Sequence, residues 1–204
     1  MLLEADWVVP ISEPPIAGGA VLVAGDSIGA VGPAAELRAR YPEEPVRTFP
    51  GCALLPGFVN THTHLEYSAF RGFARPSGFG TWMTRLLLAR RKLDAEDYAA
   101  SALWGAYECA RSGVTSIADT SYEGWTVARA AAAVGLRARV YLELFGLDDA
   151  ALPATMNRLE ARLGALRREG DAVRTDAGRL LAAPGARGPA VESGISCAKS
   201  PPPQ

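Results

Sequence analysis

Two histidines, His62 and His64, are the only imidazoles in 204 residues, and they stand two apart in the run Leu54-Leu55-Pro56-Gly57-Phe58-Val59-Asn60-Thr61-His62-Thr63-His64-Leu65-Glu66. Neutral imidazoles ligate zinc and similar divalent ions. On an extended strand residues i and i+2 point to the same face, so this spacing sets two such ligands side by side. A metal centre needs three or four ligands, and an isolated His-x-His otherwise reads as a pair of solvated or hydrogen-bonded side chains. The surroundings favour the metal. With the apolar run Ala53 to Val59 as a β-strand, Pro56-Gly57 breaks the chain just before it, the strand is apolar enough to be buried on both faces, and polar Asn60 and Thr61 mark its mouth. Glu66 follows the second histidine by two. Its carboxylate lies near such an ion if the strand direction persists; the alternative is an acid that braces a loop.

The elements that would position this pair follow from periodicity. After an irregular stretch, Glu66 to Gly80, a helix is expected over Trp82 to Arg91, with Arg85, Arg90, Arg91 and Lys92 as its solvated face. Asp94 is an N-cap candidate with Glu96 and Asp97 in the first turn. Leu103, Ala106, Tyr107 and Ala110 recur at three and four, and Gly113 is the stop. Then come a strand Val114 to Ala118, an alanine-rich helix Trp125 to Val134 closed by Gly135, a strand Arg139 to Phe145, and an amphipathic helix Asp148 to Glu169 carrying Met156, Leu159, Leu163 and Leu166. Strand and helix in strict succession imply an α/β fold of parallel strands with helices outside. With the histidine strand first, this is the opening of a (β/α)8 TIM-like barrel. Asp119, Ser121, Glu123 and Glu143 fall at or near strand ends, where they either touch substrate or cap the next helix. Residues 1–50 read as short strands (Trp7 to Val9, Ala20 to Val23, Ile28 to Val31) with turns at Gly18-Gly19 and Gly25-Asp26-Ser27. One or two helical turns at Ala34 to Arg40 follow, and Arg47 to Phe49 leads into the histidine strand.

The run Pro-Gly-Phe-Val-Asn-Thr-His-Thr-His-Leu-Glu resembles the first barrel strand of the amidohydrolase superfamily. The branch is that of the cytosine, guanine and S-adenosylhomocysteine deaminases and the triazine hydrolases, in which this pattern is the first metal motif. The resemblance covers roughly residues 1 to 170. It implies that residues 1–50 are half of a small β-sandwich, a composite domain completed from the far C-terminus of full members, and that 51–169 are the N-terminal portion of a metal-dependent barrel. It implies His62 and His64 as metal ligands for a divalent ion, zinc or iron, with a third histidine and an aspartate from later strands. Glu66 takes a ligand-side role, and Trp82, in Phe79-Gly80-Thr81-Trp82-Met83, walls the substrate pocket, although it reads equally as a core aromatic. The implied chemistry is hydrolysis at a ring carbon bearing an amino group, with the ion acidifying water and a later-strand glutamate passing the proton to ammonia. The catalytic glutamate has no counterpart in this chain.

Composition bounds the rest. The net charge of −1 gives no electrostatic case for nucleic acid or an anionic membrane, and no apolar run approaches the ~20 residues of a membrane span. Cys52, Cys109 and Cys197 lack metal-like spacing and are odd in number, which favours reduced thiols and a cytoplasmic protein. The expected partner is a small-molecule substrate, with homo-oligomers open for a full-length relative. Residues 170–204 hold five Gly and five Pro without hydrophobic periodicity, and every Phe, Trp and Tyr lies at or before Phe145. A disordered or out-of-frame tail is therefore expected. Codons permitted for Leu181 to Pro189, read one nucleotide forward, encode Ser-Pro-His, by which related deaminases present their third metal histidine, so a frameshift near Gly170 is expected. Three readings stand: a C–N hydrolase deaminating a small N-heterocycle or nucleoside-like substrate, truncated here and inactive alone; a ring hydrolase or chlorohydrolase of the same superfamily; and a non-catalytic fragment or pseudogene product.

Overall fold

The computed structural model describes residues 1–73, 78–122, 124–144, 149–180 and 191–197, with backbone alone for 149, 169–180 and 191–197. Part of the loop after Glu66, residues 74–77, lies outside the described residues. So do Glu123, Phe145, Asp148, the Leu181 to Pro189 run and 198–204, together with the sequence readings made there. The chain forms two compact units that divide between Gly57 and Phe58.

The first unit is a four-stranded sheet with one short helix. Strands β1 (Leu2–Val8), β2 (Ile16–Ala24) and β3 (Ser27–Pro33) form an antiparallel meander, helix α1 covers Ala34–Arg40, and β4 (Val46–Leu54) returns parallel to β1, giving the order β3-β2-β1-β4. Gly25, at φ 63, makes the β2–β3 turn that a side chain would resist. Leu2, Ala20 and Leu22 are buried with Leu37 of α1. Glu4 is also buried, at 5% exposure, because both its oxygens are taken by the Arg38 guanidinium. This pairing holds its carboxyl below the ordinary value. Burying the acid without that partner would be costly.

The second unit is a parallel sheet, β5 (Phe58–Thr63), β6 (Val114–Ser121), β7 (Arg137–Leu144) and β8 (Val191–Cys197), in that spatial order. A 3-10 turn, Leu65–Phe70, leads from β5 to α2 (Phe79–Arg90) and α3 (Ala95–Arg111); α4 (Trp125–Ala133) joins β6 to β7, and α5 (Leu152–Leu180) follows β7. Parallel neighbours need such long crossovers, and the helices cover one sheet face. Ile117, Ala138, Val140 and Leu142 of the sheet pack with Ala102 and Ala106 of α3, Val127, Ala128 and Ala131 of α4, and Leu159 and Leu166 of α5. α3 starts at Asp94, whose carboxylate accepts from the amides of Glu96 and Asp97 while Asp97 accepts from the Asp94 amide. Gly113, at φ 86, follows its end.

Several expectations shift. Ala53 and Leu54 end β4 of the first sheet, and the histidine strand starts only at Phe58. Pro56-Gly57 separates two strands of different sheets, so the unit boundary falls at 57 rather than 50. Among the described residues β5 is an edge strand that pairs with β6 alone, and Phe58 and Val59 are 56% and 63% exposed, so burial on both faces is not observed. The inner face of α3 is Ser101, Ala102, Gly105 and Ala106, whereas Leu103 and Tyr107 point outward, because small residues let the helix approach the 65–70 turn closely. Arg90, read as part of a solvated face, is half-buried. Within 170–204, where a disordered or out-of-frame tail is expected, the described backbone has α5 running on to Leu180 and Val191–Cys197 pairing in parallel with β7. The segment 171–180 lacks proline, and the exposed edge of β7 templates an extended neighbour whatever its composition.

Candidate metal and substrate site

Strand alternation places the candidate residues. Thr63 pairs with buried Asp119, and Ser121 pairs with buried Leu142, which sets the helix-facing side of the sheet. His62 and His64 flank Thr63 and so take the opposite side, as does Glu143 beside Leu142. All of them sit at the C-terminal ends of parallel strands, the end of an α/β barrel where ligands bind.

The two imidazoles are neighbours, with ring centroids 5.0 Å apart and planes at 86°. His62 is exposed, and His64 is half-buried and stacks on Tyr67 at 5.7 Å. The buried Nδ1 of His64 has no hydrogen-bond partner among the described residues. Two adjacent rings with unclaimed nitrogen suit a borderline divalent ion as half of its ligand set. Among the described residues no group of three or more His, Cys, Asp or Glu is arranged to hold an ion.

Three carboxylates lie at this end of the sheet, each used differently. Glu66 is buried at the start of the 3-10 turn, where one oxygen accepts from Ser121 Oγ at 2.8 Å and the other from the Tyr122 amide at 3.3 Å. Ser121 Oγ in turn accepts from the Gly124 amide. Glu66 therefore ties the segment after β5 to the end of β6, and this is the loop-bracing role. Asp119 has no exposed surface. Its Oδ2 accepts from the Leu65 amide at 2.7 Å, while its Oδ1 is buried without a partner among the described residues. Burial, with Glu66 and Glu143 nearby, pushes its carboxyl up to about 8 against the pull of the Leu65 amide, so the group is largely protonated at neutral pH. Glu143 is half-buried and raised by burial, although His64, Arg90 and His62 favour its charge.

Cations and aromatics close this end. Arg162 of α5 lies 4.0 Å over the Tyr122 ring and donates from both Nη atoms to the Glu143 carbonyl at 3.3 Å. Arg90 lies 5.7 Å from the same ring and 5.9 Å from that of Tyr67. Burial and the Glu66 charge push the Tyr67 hydroxyl well up, so it stays protonated. Trp82 is half-buried and packs on Phe79 at 5.7 Å, and it makes no ring contact with the histidines among the described residues. A cavity of about 430 Å³ opens elsewhere, between α3 and α4, and holds none of the candidate residues. Sequence reasoning missed Tyr67, Tyr122 and Arg162. One signal was present: Arg162 stands three after Leu159 and four before Leu166, a charge on an otherwise apolar stripe.

The Amidohydrolase family model matches residues 53–179, and the Imidazolonepropionase-like composite domain of bacteria matches 19–43. A 5-methylthioadenosine/S-adenosylhomocysteine deaminase of Moorella thermoacetica is 33% identical over 79% of this chain and 37% of its own length. A 5'-deoxyadenosine deaminase of Methanosarcina barkeri is 41% identical over 42% of this chain and 20% of its own length. The chain thus spans well under half of these relatives. Among solved structures, an aminofutalosine deaminase of Helicobacter pylori has a TM-score of 0.67 at 19% identity, covering 96% of this chain and 43% of that one. A zinc complex of an atrazine chlorohydrolase of Arthrobacter aurescens has 0.65 at 19%, covering 98% and 47%. These likenesses show the fold, the opening portion of a TIM-like barrel preceded by a small sheet. With the family model matching more than half of its residues, the chain belongs to the amidohydrolase family.

Proposed function

We propose that the protein takes part in hydrolytic deamination of a nucleoside-like amino-heterocycle. The observation that carries this reading is the pair of adjacent imidazoles on the open side of a parallel sheet, at its C-terminal end, in a chain whose relatives include deaminases of adenosine-type compounds. His62 and His64 would hold a divalent ion, zinc first and iron second, and the bound ion supplies acidified water for attack on the amino-bearing carbon. The protein's own groups do the rest. Glu66 fastens the strand ends so that the imidazoles keep their spacing, Asp119 pins the amide after His64, and Tyr67 backs the His64 ring. Trp82 is the substrate-side residue of this reading, and Glu66, with both oxygens engaged by Ser121 and Tyr122, supports that side without contacting substrate.

A second reading, a piece without activity of its own, is favoured by one observation: two histidines make only half of a ligand set among the described residues. One experiment separates the two. Zinc binding is measured by calorimetry on the chain and on His62→Ala and His64→Ala, and ammonia release from adenosine and 5'-deoxyadenosine is assayed on the chain and on a version whose reading frame is restored near Gly170. Each alanine variant is expected to lose more zinc affinity than the roughly 10- to 100-fold typical of an outer-shell partner. Ammonia is expected from the frame-restored version alone. Unchanged zinc affinity in both variants overturns the metal assignment, and turnover by the unaltered chain overturns the second reading.

A further inference from the structure

Helix α3 buries Ser101, Ala102, Gly105 and Ala106 toward the sheet and the 65–70 turn. At 3.6 residues per turn the side directly away from the sheet carries Glu96, Ala100, Leu103, Trp104, Tyr107 and Arg111, and all six are exposed. Leu103, Trp104 and Tyr107 keep 46%, 56% and 50% of their surface, and the Trp104 and Tyr107 rings lie 5.9 Å apart. Leu103 also lines the cavity toward α4, so the apolar surface runs from this face into that groove. An acid in the first turn and a base in the last suit any helix. An uncharged, partly aromatic run between them, on the side that should meet water, marks a surface that another molecule covers.

Two features decide what covers it. The first is direction: helices ringing a barrel meet one another side to side, α4 already takes one side of α3, and the outward side is turned away from such neighbours. The second is that the pattern is complementary to itself. Against a second α3 running antiparallel about a two-fold axis between residues 103 and 104, Glu96 stands level with Arg111 of the other copy and Ala100 with Tyr107, while Leu103 and Trp104 meet at the axis. Acid thus faces base and small faces large, twice over, across about 22 Å of helix. We infer that the outward face of α3 is a homodimer interface, occupied by the same face of a second copy of this chain. It stands apart from the reaction proposed above, and neither depends on the other.

The test is sedimentation equilibrium on the full 204-residue chain, on Trp104→Ala and Tyr107→Glu, and on Glu96→Arg, Arg111→Glu and the double reversal. The wild type should dimerise. Loss of a central aromatic, felt twice per dimer, should weaken association by roughly 100-fold or more, and each single reversal by roughly 10-fold. The double reversal should restore the wild-type affinity. A role confined to the dipole of α3 itself predicts the opposite, because each reversal opposes that dipole and the double would be the worst of the three. Since Trp104 and Tyr107 are exposed, their variants should melt as the wild type does by circular dichroism; should either fail to fold, the charge set decides. A wild type that stays monomeric overturns the inference, and so does a double reversal no tighter than the singles. Assembly that none of these variants changes places the association elsewhere, on the open edge of β5, and overturns it as well.

Discussion

Asp119 shows how one side chain can hold a site without touching its reaction. A carboxyl with no exposed surface is tolerated because it is largely protonated and because Oδ2 accepts from the Leu65 amide, the residue directly after His64. Asp119→Ala leaves that buried amide without an acceptor, a loss of about 1–3 kcal/mol. Asp119→Asn keeps a carbonyl in place and should cost less than half as much. Urea unfolding of the two variants checks this, and an equal loss in both would show that the Leu65 bond contributes nothing. Zinc affinity should fall with Asp119→Ala and recover in Asp119→Asn, since the same amide sets the backbone direction after the second imidazole. At this scale the sequence showed the histidines as a pair and Glu66 as their neighbour. It did not show which carboxylates are occupied, because Asp119 and Leu65 are 54 residues apart, and Ser121 and Glu66 are 55 apart.

The turn that follows β5 is held by α3. Ser101 Oγ accepts from the Ala69 amide at 2.8 Å, and Gly105 lets the helix come so close that an added Cβ would stand 2.1 Å from Ser68 Oγ. Gly105 also lies at an ordinary helical conformation, so the packing and not the backbone requires it. Gly105→Ala should therefore destabilise by about 1–3 kcal/mol through overpacking, although alanine is the better helix former. If its thermal midpoint equals or exceeds that of the wild type, the close approach is absent in solution. The start of α3 was readable from Asp94, Glu96 and Asp97 because capping is a local contact between residues two and three apart. Its inner face was not readable. Leu103 and Tyr107 carry the apolar spacing, but a helix that must approach a turn closely presents Ala102, Gly105 and Ala106 instead.

Over the whole chain, acid sensitivity should report the Glu4–Arg38 pair of the first unit. The Arg38 guanidinium lowers the Glu4 carboxyl below its ordinary 4.5, so the unfolded chain binds this proton before the folded one does. The stabilisation is complete above the unfolded value and is lost as pH falls through the lower folded value. Glu4→Gln should cost stability at pH 7, and the measured stability difference between it and the wild type should shrink as pH falls through this window toward 3. A variant with an unaltered acid limb would show that Glu4 titrates alike in both states. The alternation of strands and helices was legible in the sequence, because it depends on periods of two and 3.6 residues and on Gly and Pro stops that act locally. Only the tertiary structure decided that the histidine strand begins at Phe58 on a sheet edge, that Glu66 is spent on Ser121, and that Arg90 and Arg162 meet over Tyr122. The reason is that register between parallel strands is set across crossovers of dozens of residues, and which distant side chains then face one another leaves no local pattern to read.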